Sequence, residues 1–209
     1  MAPRRSRLRS SQPSRARSHD PVVVGLRIIG GAFRGRKLRY SGDPSVRPMK
    51  DRVREAVFNL LGPAVRDKHA VDLFAGTGAL GLEAISRGAA KATLIERHLP
   101  TARVVAENIK TLDVGARAEL VAGNVFFTAL WRDRLGPTPW LVFCSPPYAF
   151  YEERRQEMLE LIGGLIAASP VESIFVVESD ERFDFALLPH PDSWSVRRYP
   201  PAVIGIYRK

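Results

Sequence analysis

Two kinds of hydrophobic pattern alternate along the chain from residue 70 to residue 178. Apolar runs of strand length occupy residues 70–74, 92–96, 118–121, 140–144 and 173–178. The segments between them carry apolar residues at helical spacing, which predicts helices over 79–87, 99–112, 124–134 and 151–168. Strands that alternate with helices are typical of a parallel sheet covered on both faces. The pattern therefore predicts an α/β fold built as an αβα sandwich.

The end of the chain has a different pattern. Two strand-like runs, 194–199 and 202–207, are joined only by Pro200 and Pro201. Two residues are too few for the crossover that a parallel pair requires. We therefore expect these runs to pair antiparallel at one end of the sheet.

The segment before residue 70 predicts a small extension to this fold. Residues 26–40 form two strand-like runs around glycine turns, which indicates a β-hairpin. A helix is predicted over 48–61, where a Gly-Pro pair ends the apolar period. Residues 1–20 are rich in Arg, Ser and Pro and predict a disordered basic arm. The predicted parts are therefore this arm (1–20), the extension (21–62) and the α/β domain (63–209).

Basic residues are concentrated at the front of the chain. The net charge is +10, and residues 1–54 hold fifteen Lys or Arg against three Asp, while the remainder is slightly acidic. One-sided positive charge indicates a nucleic-acid partner, since phosphate contacts supply most sequence-independent affinity; a solvated charged surface is the alternative. The residues predicted to contact RNA phosphates are Arg34, Arg36, Lys37, Arg47, Arg52 and Arg54.

Composition also disfavours several classes of protein. Cys144 is the only cysteine, so an internal disulfide is excluded. The four histidines lie far apart without the spacing of metal ligands. No apolar run approaches the roughly 18 residues of a membrane span. We expect a cytoplasmic monomer with no metal site.

The first predicted strand runs into a glycine-rich loop that opens a helix. Glycines let a ligand approach the backbone closely, and a helix N-terminus offers free N–H groups. Glu96 ends the next strand, where a carboxylate can accept hydrogen bonds from both hydroxyls of an adenosine ribose. The residues predicted to contact the cofactor are Asp72, Phe74, Gly76, Thr77, Gly78, Glu96 and Asn124.

This loop alone leaves two cofactors open, a dinucleotide and S-adenosylmethionine. Asp72 favours S-adenosylmethionine, because its carboxylate suits a cationic methionine group and would repel phosphates. The antiparallel terminal pair also favours it, since a simple dinucleotide fold does not require that pair. Asn124 has two compatible roles, a contact to the adenine edge and a cap for the next helix.

A second loop follows the fourth predicted strand and reads Ser145-Pro146-Pro147-Tyr148. Ligands of doubly wound sheets lie at the carboxyl ends of the strands, which places this loop beside the glycine-rich one. Two prolines fix the backbone so that Ser145 and the Pro146 carbonyl can point at a substrate amine. Tyr148 offers a face on which a base can stack. A bare Pro-Pro-Tyr is also common in turns, so the motif indicates an active site only in this setting.

Together these residues resemble the RsmD family of 16S ribosomal RNA guanine-N2 methyltransferases. The resemblance covers nearly all of the chain from residue 27 onward. Its blocks are RIIGGAFRGRKL (27–38), RPMKDRVREAVFNLL (47–61), DLFAGTGALGLEAISRGA (72–89), ATLIE (92–96) and VES (177–179). It implies a Rossmann-like class I methyltransferase fold with a seven-stranded sheet, S-adenosylmethionine as cofactor, and ribosomal RNA or the small ribosomal subunit particle as substrate. It also implies that residues 145–148 hold the base.

Two positions depart from the family pattern. The family usually has an acid where this chain has Asn124. Such amine methyltransferases also carry Asp or Asn before Pro-Pro-Tyr, and this chain has Ser145, whose oxygen is uncharged, closer to the backbone and a poor base. Asp or Asn at residue 145 is therefore predicted to raise turnover, and Ala to lower it.

The departure at residue 145 leaves alternative functions open. One is a catalytically weak or silent RNA-binding relative. Independently of residue 145, the pair of loops leaves open a DNA adenine-N6 or protein-glutamine methyltransferase, which can share both loops, and the glycine-rich loop leaves open a dinucleotide-dependent oxidoreductase.

Overall fold

A computed structural model describes residues 25–40, 42 and 49–209. The predicted arm and Arg47 lie outside the described residues. The strands are β1 (His69–Asp72), β2 (Lys91–Glu96), β3 (Ala118–Ala122), β4 (Trp140–Cys144), β5 (Ile174–Ser179), β6 (Ser195–Tyr199) and β7 (Ala202–Arg208). The α-helices are α1 (Asp51–Leu61), α2 (Ala79–Ser86), α3 (Leu99–Leu112), α4 (Phe150–Glu153) and α5 (Arg155–Ala168).

The seven strands form one sheet in the order β3-β2-β1-β4-β5-β7-β6. Every neighbouring pair from β3 to β5 is parallel, whereas β7 runs antiparallel to both β5 and β6. The predicted seven-stranded, mostly parallel sheet with an antiparallel last strand is confirmed. The strand order reverses between β1 and β4, so the loops after these two strands flank a topological switch point, where open α/β sheets bind ligands.

Each face of the sheet carries its own apolar core. On one face α1, α2 and α3 contribute side chains such as Val57, Leu82 and Val105. On the other face α5 contributes Met158 and Leu165. Strands β1, β4 and β5 are buried along their whole length, which explains their continuous apolar sequences. The predicted αβα sandwich is confirmed.

The predicted hairpin of residues 26–40 is reduced to one antiparallel bridge, between Arg27 and Lys37. Gly31 turns the chain between them with φ of 78°. The next residue, Ala32, donates its N–H to the Ser86 carbonyl of α2 at 2.8 Å rather than to a cross-strand partner. A backbone group that would pair across the strands of a longer hairpin therefore bonds to α2 instead.

The helix predicted over 124–134 is wrong. The segment contains two 3₁₀ turns, Thr128–Leu130 and Arg132–Arg134. Trp131 between them is fully buried and donates its indole N–H to the Val125 carbonyl at 3.0 Å. Its φ of −140° departs from helical values, so burial of this side chain interrupts the helical period.

The other predicted helices differ from the structure mainly at their ends. α1 begins at Asp51 rather than at residue 48. The helix predicted over 151–168 is divided into α4 and α5 at Arg154, whose φ of −130° and ψ of 33° are not helical. The guanidinium of Arg154 lies over an aromatic ring of the candidate site described below.

Candidate active site

The loop after β1 turns sharply at two glycines. Gly76 and Gly78 have φ of 52° and 79°, a left-handed conformation that favours glycine. A Cβ on Gly78 would lie 3.1 Å from Leu94 Cδ2, so the loop also packs closely against β2. Glu96 accepts the N–H of Gly76 at 2.9 Å through one oxygen and the N–H of His98 at 2.8 Å through the other. The structure therefore brings together three of the residues predicted to contact the cofactor.

The side chains of Asp72 and Thr77 are buried beneath the loop and are not exposed on its surface. Asp72 is 1% exposed, and its Oδ2 accepts the N–H of Gly81 at 3.0 Å. Its Oδ1 has no hydrogen-bond partner among the described residues. Burial raises the pKa of this carboxyl to about 7. Thr77 is also buried, and its carbonyl accepts a hydrogen bond from Asn108 at 3.0 Å.

The unpartnered oxygen of Asp72 bears on which ligand fits this loop. A buried carboxylate oxygen without a hydrogen-bond partner is costly unless a donor or a cation comes to it. A ligand with a positively charged amine or sulfonium beside the loop would favour the ionised carboxyl and lower its pKa. A pyrophosphate would instead favour the protonated carboxyl and raise its pKa. The donor set therefore fits S-adenosylmethionine better than a dinucleotide.

Three aromatic side chains join the loops after β1, β3 and β4. The ring centroids of Phe74, Phe126 and Phe150 lie 6.1 to 6.3 Å apart. The Arg154 guanidinium lies 3.8 Å from the Phe126 ring centroid, within cation–π range. Asn124 accepts the Phe126 N–H at 3.2 Å, so it caps this turn, although no α-helix follows. The cluster shows that the glycine-rich loop and the Ser-Pro-Pro-Tyr loop belong to one cleft.

Only one member of this cluster, Phe74, was predicted from the sequence. Phe126 and Phe150 share a feature with it, because each follows a strand that ends at the same edge of the sheet. That shared position is the signal that could have identified them.

The loop after β4 is held by a carboxylate from the neighbouring strand. Ser145 donates its hydroxyl hydrogen to Glu178 at the end of β5. The Tyr148 hydroxyl donates to the other carboxylate oxygen of Glu178 at 2.9 Å. Pro146 is buried and Pro147 is exposed, so one proline anchors the loop while the other faces solvent.

Glu178 is a site residue that was not predicted from the sequence. It is 7% exposed, and burial raises its pKa although the hydrogen bonds from Ser145 and Tyr148 act in the opposite direction. The VES block placed it at a strand end. Its position next to Ser145 follows from the register of β4 and β5, in which Cys144 lies opposite Val177. A pattern along one segment does not show that register.

Four of the basic residues predicted to contact RNA are exposed: Arg34, Arg36, Lys37 and Arg52. Arg36 donates to the carbonyls of Thr111 and Leu112, at the end of α3. A crossover helix runs antiparallel to its strands, so this end of α3 lies at the edge of the sheet opposite the two loops. Arg36 therefore lies away from the cleft, whereas Arg52 donates to the Pro200 carbonyl at 3.3 Å, at the edge of the sheet where β5 ends and β7 begins.

The prediction that Arg54 contacts RNA is wrong. Arg54 is fully buried, and its Nη2 donates to the Arg27 carbonyl at 2.6 Å and to Asp51 at 3.0 Å. Its Nε lies 3.8 Å from a carboxylate oxygen of Glu83 on α2. A guanidinium enclosed in this way cannot reach a phosphate. It joins α1, the extension and α2 instead.

Two kinds of feature are absent from the part of the chain that the structure describes. No helix there is long and apolar enough to cross a membrane. No group of three or more His, Cys, Asp or Glu side chains is arranged to hold a metal ion in those same residues.

Comparison with known proteins gives a consistent result. Residues 26–199 match the family described as "Conserved hypothetical protein 95". Ribosomal RNA small subunit methyltransferase D of Escherichia coli (strain K12) is 38% identical over 185 residues, which cover 88% of each chain. The protein of the same name from Haemophilus influenzae is 37% identical over 125 residues, which cover 60% of this chain and 65% of that protein.

Solved structures show the same fold. A hypothetical protein from Thermus thermophilus superposes with a TM-score of 0.70 at 27% identity, over 88% of this chain and 99% of that one. An RNA methyltransferase from Salinibacter ruber, solved in complex with S-adenosyl-L-homocysteine, superposes with a TM-score of 0.57 at 16% identity. That superposition covers 78% of this chain and 93% of the other.

Proposed function

The chain belongs to the family described as conserved hypothetical protein 95, and from this premise we propose that it methylates the exocyclic N2 amine of a guanine in 16S ribosomal RNA. Its relatives include proteins named ribosomal RNA small subunit methyltransferase D, one of them 38% identical over most of both chains. The chain is accordingly a ribosomal RNA methyltransferase, and we infer that its cofactor is S-adenosylmethionine. The observation that carries the proposal is the meeting of the glycine-rich loop and the Ser-Pro-Pro-Tyr loop at one edge of the sheet.

We assign the donor side of the cleft to the residues around the glycine-rich loop. S-adenosylmethionine, when bound, supplies an electrophilic methyl group on a sulfonium. Glu96 accepts hydrogen bonds from the ribose hydroxyls, since its carboxylate already accepts backbone hydrogen bonds at the loop. Asp72 supplies negative charge beneath the methionine end, and the backbone of Gly76, Thr77 and Gly78 allows close approach. Phe74 and Asn124 border the position of the adenine.

The acceptor side of the cleft consists of the four residues after β4. Ser145 and the carbonyl of Pro146 accept the amine hydrogens and keep the nitrogen lone pair directed at the methyl group. Pro147 stiffens the loop, and Tyr148 stacks against the guanine, a contact of about 1 to 3 kcal/mol. The base reaches this loop from an RNA loop or after flipping out of its stack. These side chains act mainly by positioning the amine.

The function is tested by incubating the full chain with isotopically labelled donor and 30S particles that lack the native modification. We expect label in 16S RNA at guanine N2 and not in DNA or protein. Glu96→Gln should bind the donor about tenfold more weakly, because the amide loses the charged acceptor for the ribose. Exposed Glu119→Gln on β3 is the matched control. Donor binding without transfer would favour the silent RNA-binding relative, and label in DNA would favour the DNA methyltransferase.

RNA binding by the extension gives a separate prediction. Joint replacement of Arg34 and Lys37 by Ala should weaken binding to 30S particles. The slope of log affinity against log salt should fall by about 1 for every phosphate that the variant no longer neutralises. The charge-matched control replaces the exposed residues Arg132 and Arg134 on the other face of the sheet. Equal salt slopes for both variants would show that the extension makes no specific phosphate contacts.

A further inference from the structure

A single carboxylate lies behind both polar groups of the Ser-Pro-Pro-Tyr loop. One oxygen of Glu178 accepts the hydroxyl hydrogen of Ser145, and the other accepts that of Tyr148 at 2.9 Å. The backbone carbonyl of Glu178 also accepts the Tyr151 hydroxyl at 2.9 Å. Two hydroxyl groups thus fix the carboxylate and a third holds the backbone of the same residue near the end of β5, immediately beside the loop that receives the base.

This arrangement changes what Ser145 can do. A serine hydroxyl has one hydrogen to donate and two lone pairs to accept. Because its hydrogen is given to Glu178, both lone pairs of Oγ stay available for an amine hydrogen. The negative charge that an Asp would carry at residue 145 is present one hydrogen bond further away, on Glu178. Donation to a carboxylate polarises the hydroxyl, and hydrogen bonds in a chain strengthen one another, so Oγ becomes a better acceptor than an isolated serine.

We propose that Glu178 acts through Ser145 as the proton acceptor of the methyl-transfer site, an inference that rests on the proposed function. The pair of Ser145 and Glu178 replaces the Asp or Asn that the loop lacks. Glu178 is a positioning residue, because it does not itself touch the guanine. Tyr148 shares the same carboxylate, so the stacking surface and the acceptor are oriented together.

Each proton released during methyl transfer has an acceptor in this arrangement. The guanine N2 nitrogen forms a bond to the methyl carbon as the carbon–sulfur bond breaks, and that electron pair remains on sulfur. The nitrogen, now positively charged, releases one proton to Ser145 Oγ while the Ser145 proton moves to the Glu178 carboxylate. Glu178 then returns this proton to solvent before the next cycle. No oxidant, metal or further co-reactant is needed.

The surroundings of Glu178 suit this role. The groups packed against it are the Ser145 and Tyr148 hydroxyls from the loop after β4, the Tyr151 hydroxyl from α4, and the buried Cys144 thiol of β4. Burial raises the pKa of Glu178 above the ordinary glutamate range. The group accepts a proton only when ionised, so activity should fall as the pH drops through this raised pKa.

The test measures single-turnover methylation of 30S particles at saturating donor as a function of pH. Glu178→Gln should lower the rate about tenfold, the value of one charge-assisted hydrogen bond, and remove the acid limb of the pH profile. Exposed Glu181→Gln, three residues further along, is the matched control and should change neither. In wild-type protein saturated with donor, the ¹³C resonance of the Glu178 carboxyl should titrate near the pH of that limb.

A second background separates this role from a structural one. Ser145→Asn supplies an amide oxygen that accepts the amine hydrogen without passing a proton to Glu178, so Glu178→Gln should cost less than twofold in that background. An equal loss in both backgrounds would overturn the inference. So would an acid limb that persists in Glu178→Gln, since it would belong to another group such as Asp72, whose pKa is about 7. Absence of methylation by the wild-type chain would instead overturn the proposed function.

Discussion

Glu83→Gln is expected to lower the free energy of unfolding by about 3 kcal/mol, because Glu83 is the buried charge that joins the extension to α2. Glu83 is fully buried, and its two oxygens accept the N–H groups of Ile29 at 2.7 Å and Gly30 at 2.8 Å. It also accepts from Arg87 Nε at 2.7 Å and lies 3.8 Å from buried Arg54.

The size of this effect follows from what the substitution leaves behind. Glutamine has nearly the same shape, but it presents an NH₂ group to partners that are all donors. Buried Arg54 already has two nitrogens without hydrogen-bond partners among the described residues, and it would keep only Asp51 as an opposite charge. Removing one partner of a buried ion pair leaves an uncompensated charge, whose cost greatly exceeds that of losing a surface pair.

Urea unfolding followed by circular dichroism measures the change, and the midpoint should fall at an unchanged m-value. Glu107→Gln is the matched control, because Glu107 also pairs with an arginine of the extension, Arg39, but at an exposed position. Its effect should stay within about 0.5 kcal/mol. A Glu83→Gln protein as stable as the control would show that the ion cluster does not hold the extension in place.

Glu83 also shows where sequence patterns stop being informative. The strands and most helices were predictable, because the spacing of apolar residues within a segment determines which face is buried. Glu83 sits inside such a helix, but its N–H partners lie 53 and 54 residues earlier in the chain. The burial of Arg54 depends on the same long-range cluster. Because Arg54 lies in a basic segment, the sequence predicted a contact at the surface. In the fold, its side chain is buried.

The candidate site divides in the same way. Gly76, Gly78 and Glu96 were predictable because a glycine turn after one strand and an acid after the next follow from order along the chain. The function of Ser145 was not, since its partner Glu178 comes from a strand 33 residues later and from the register between two strands. From the sequence alone, Ser145 predicted a methyltransferase site with a weak acceptor. With its hydroxyl bonded to the Glu178 carboxylate, Ser145 instead supports the proposal of an acceptor that is strengthened by a neighbouring charge.

The largest expected loss of activity is at Ser145 itself. Ser145→Ala removes the proposed acceptor for the amine hydrogen and should slow single-turnover methylation about a hundredfold, the usual cost of one well-placed transition-state hydrogen bond. Donor affinity should stay unchanged, because the assigned donor contacts lie on the loops after β1, β2 and β3. Exposed Ser195→Ala on β6 is the control. A loss of donor binding equal to the loss of rate would show that Ser145 supports the cleft rather than the amine.

The sequence predicts that Asp and Asn at residue 145 both raise turnover. In this structure, the two variants are expected to differ in rate and in pH dependence. Asn can donate its NH₂ to Glu178 and still offer its oxygen to the amine, so Ser145→Asn should match or exceed the wild-type rate. Ser145→Asp brings a second carboxylate against Glu178 in a buried setting, where two neighbouring acids cannot both ionise easily. One of them would hold a proton near neutral pH, and the rate should rise steeply with pH as it ionises. Equal pH profiles for the two variants would contradict the pairing of residue 145 with Glu178.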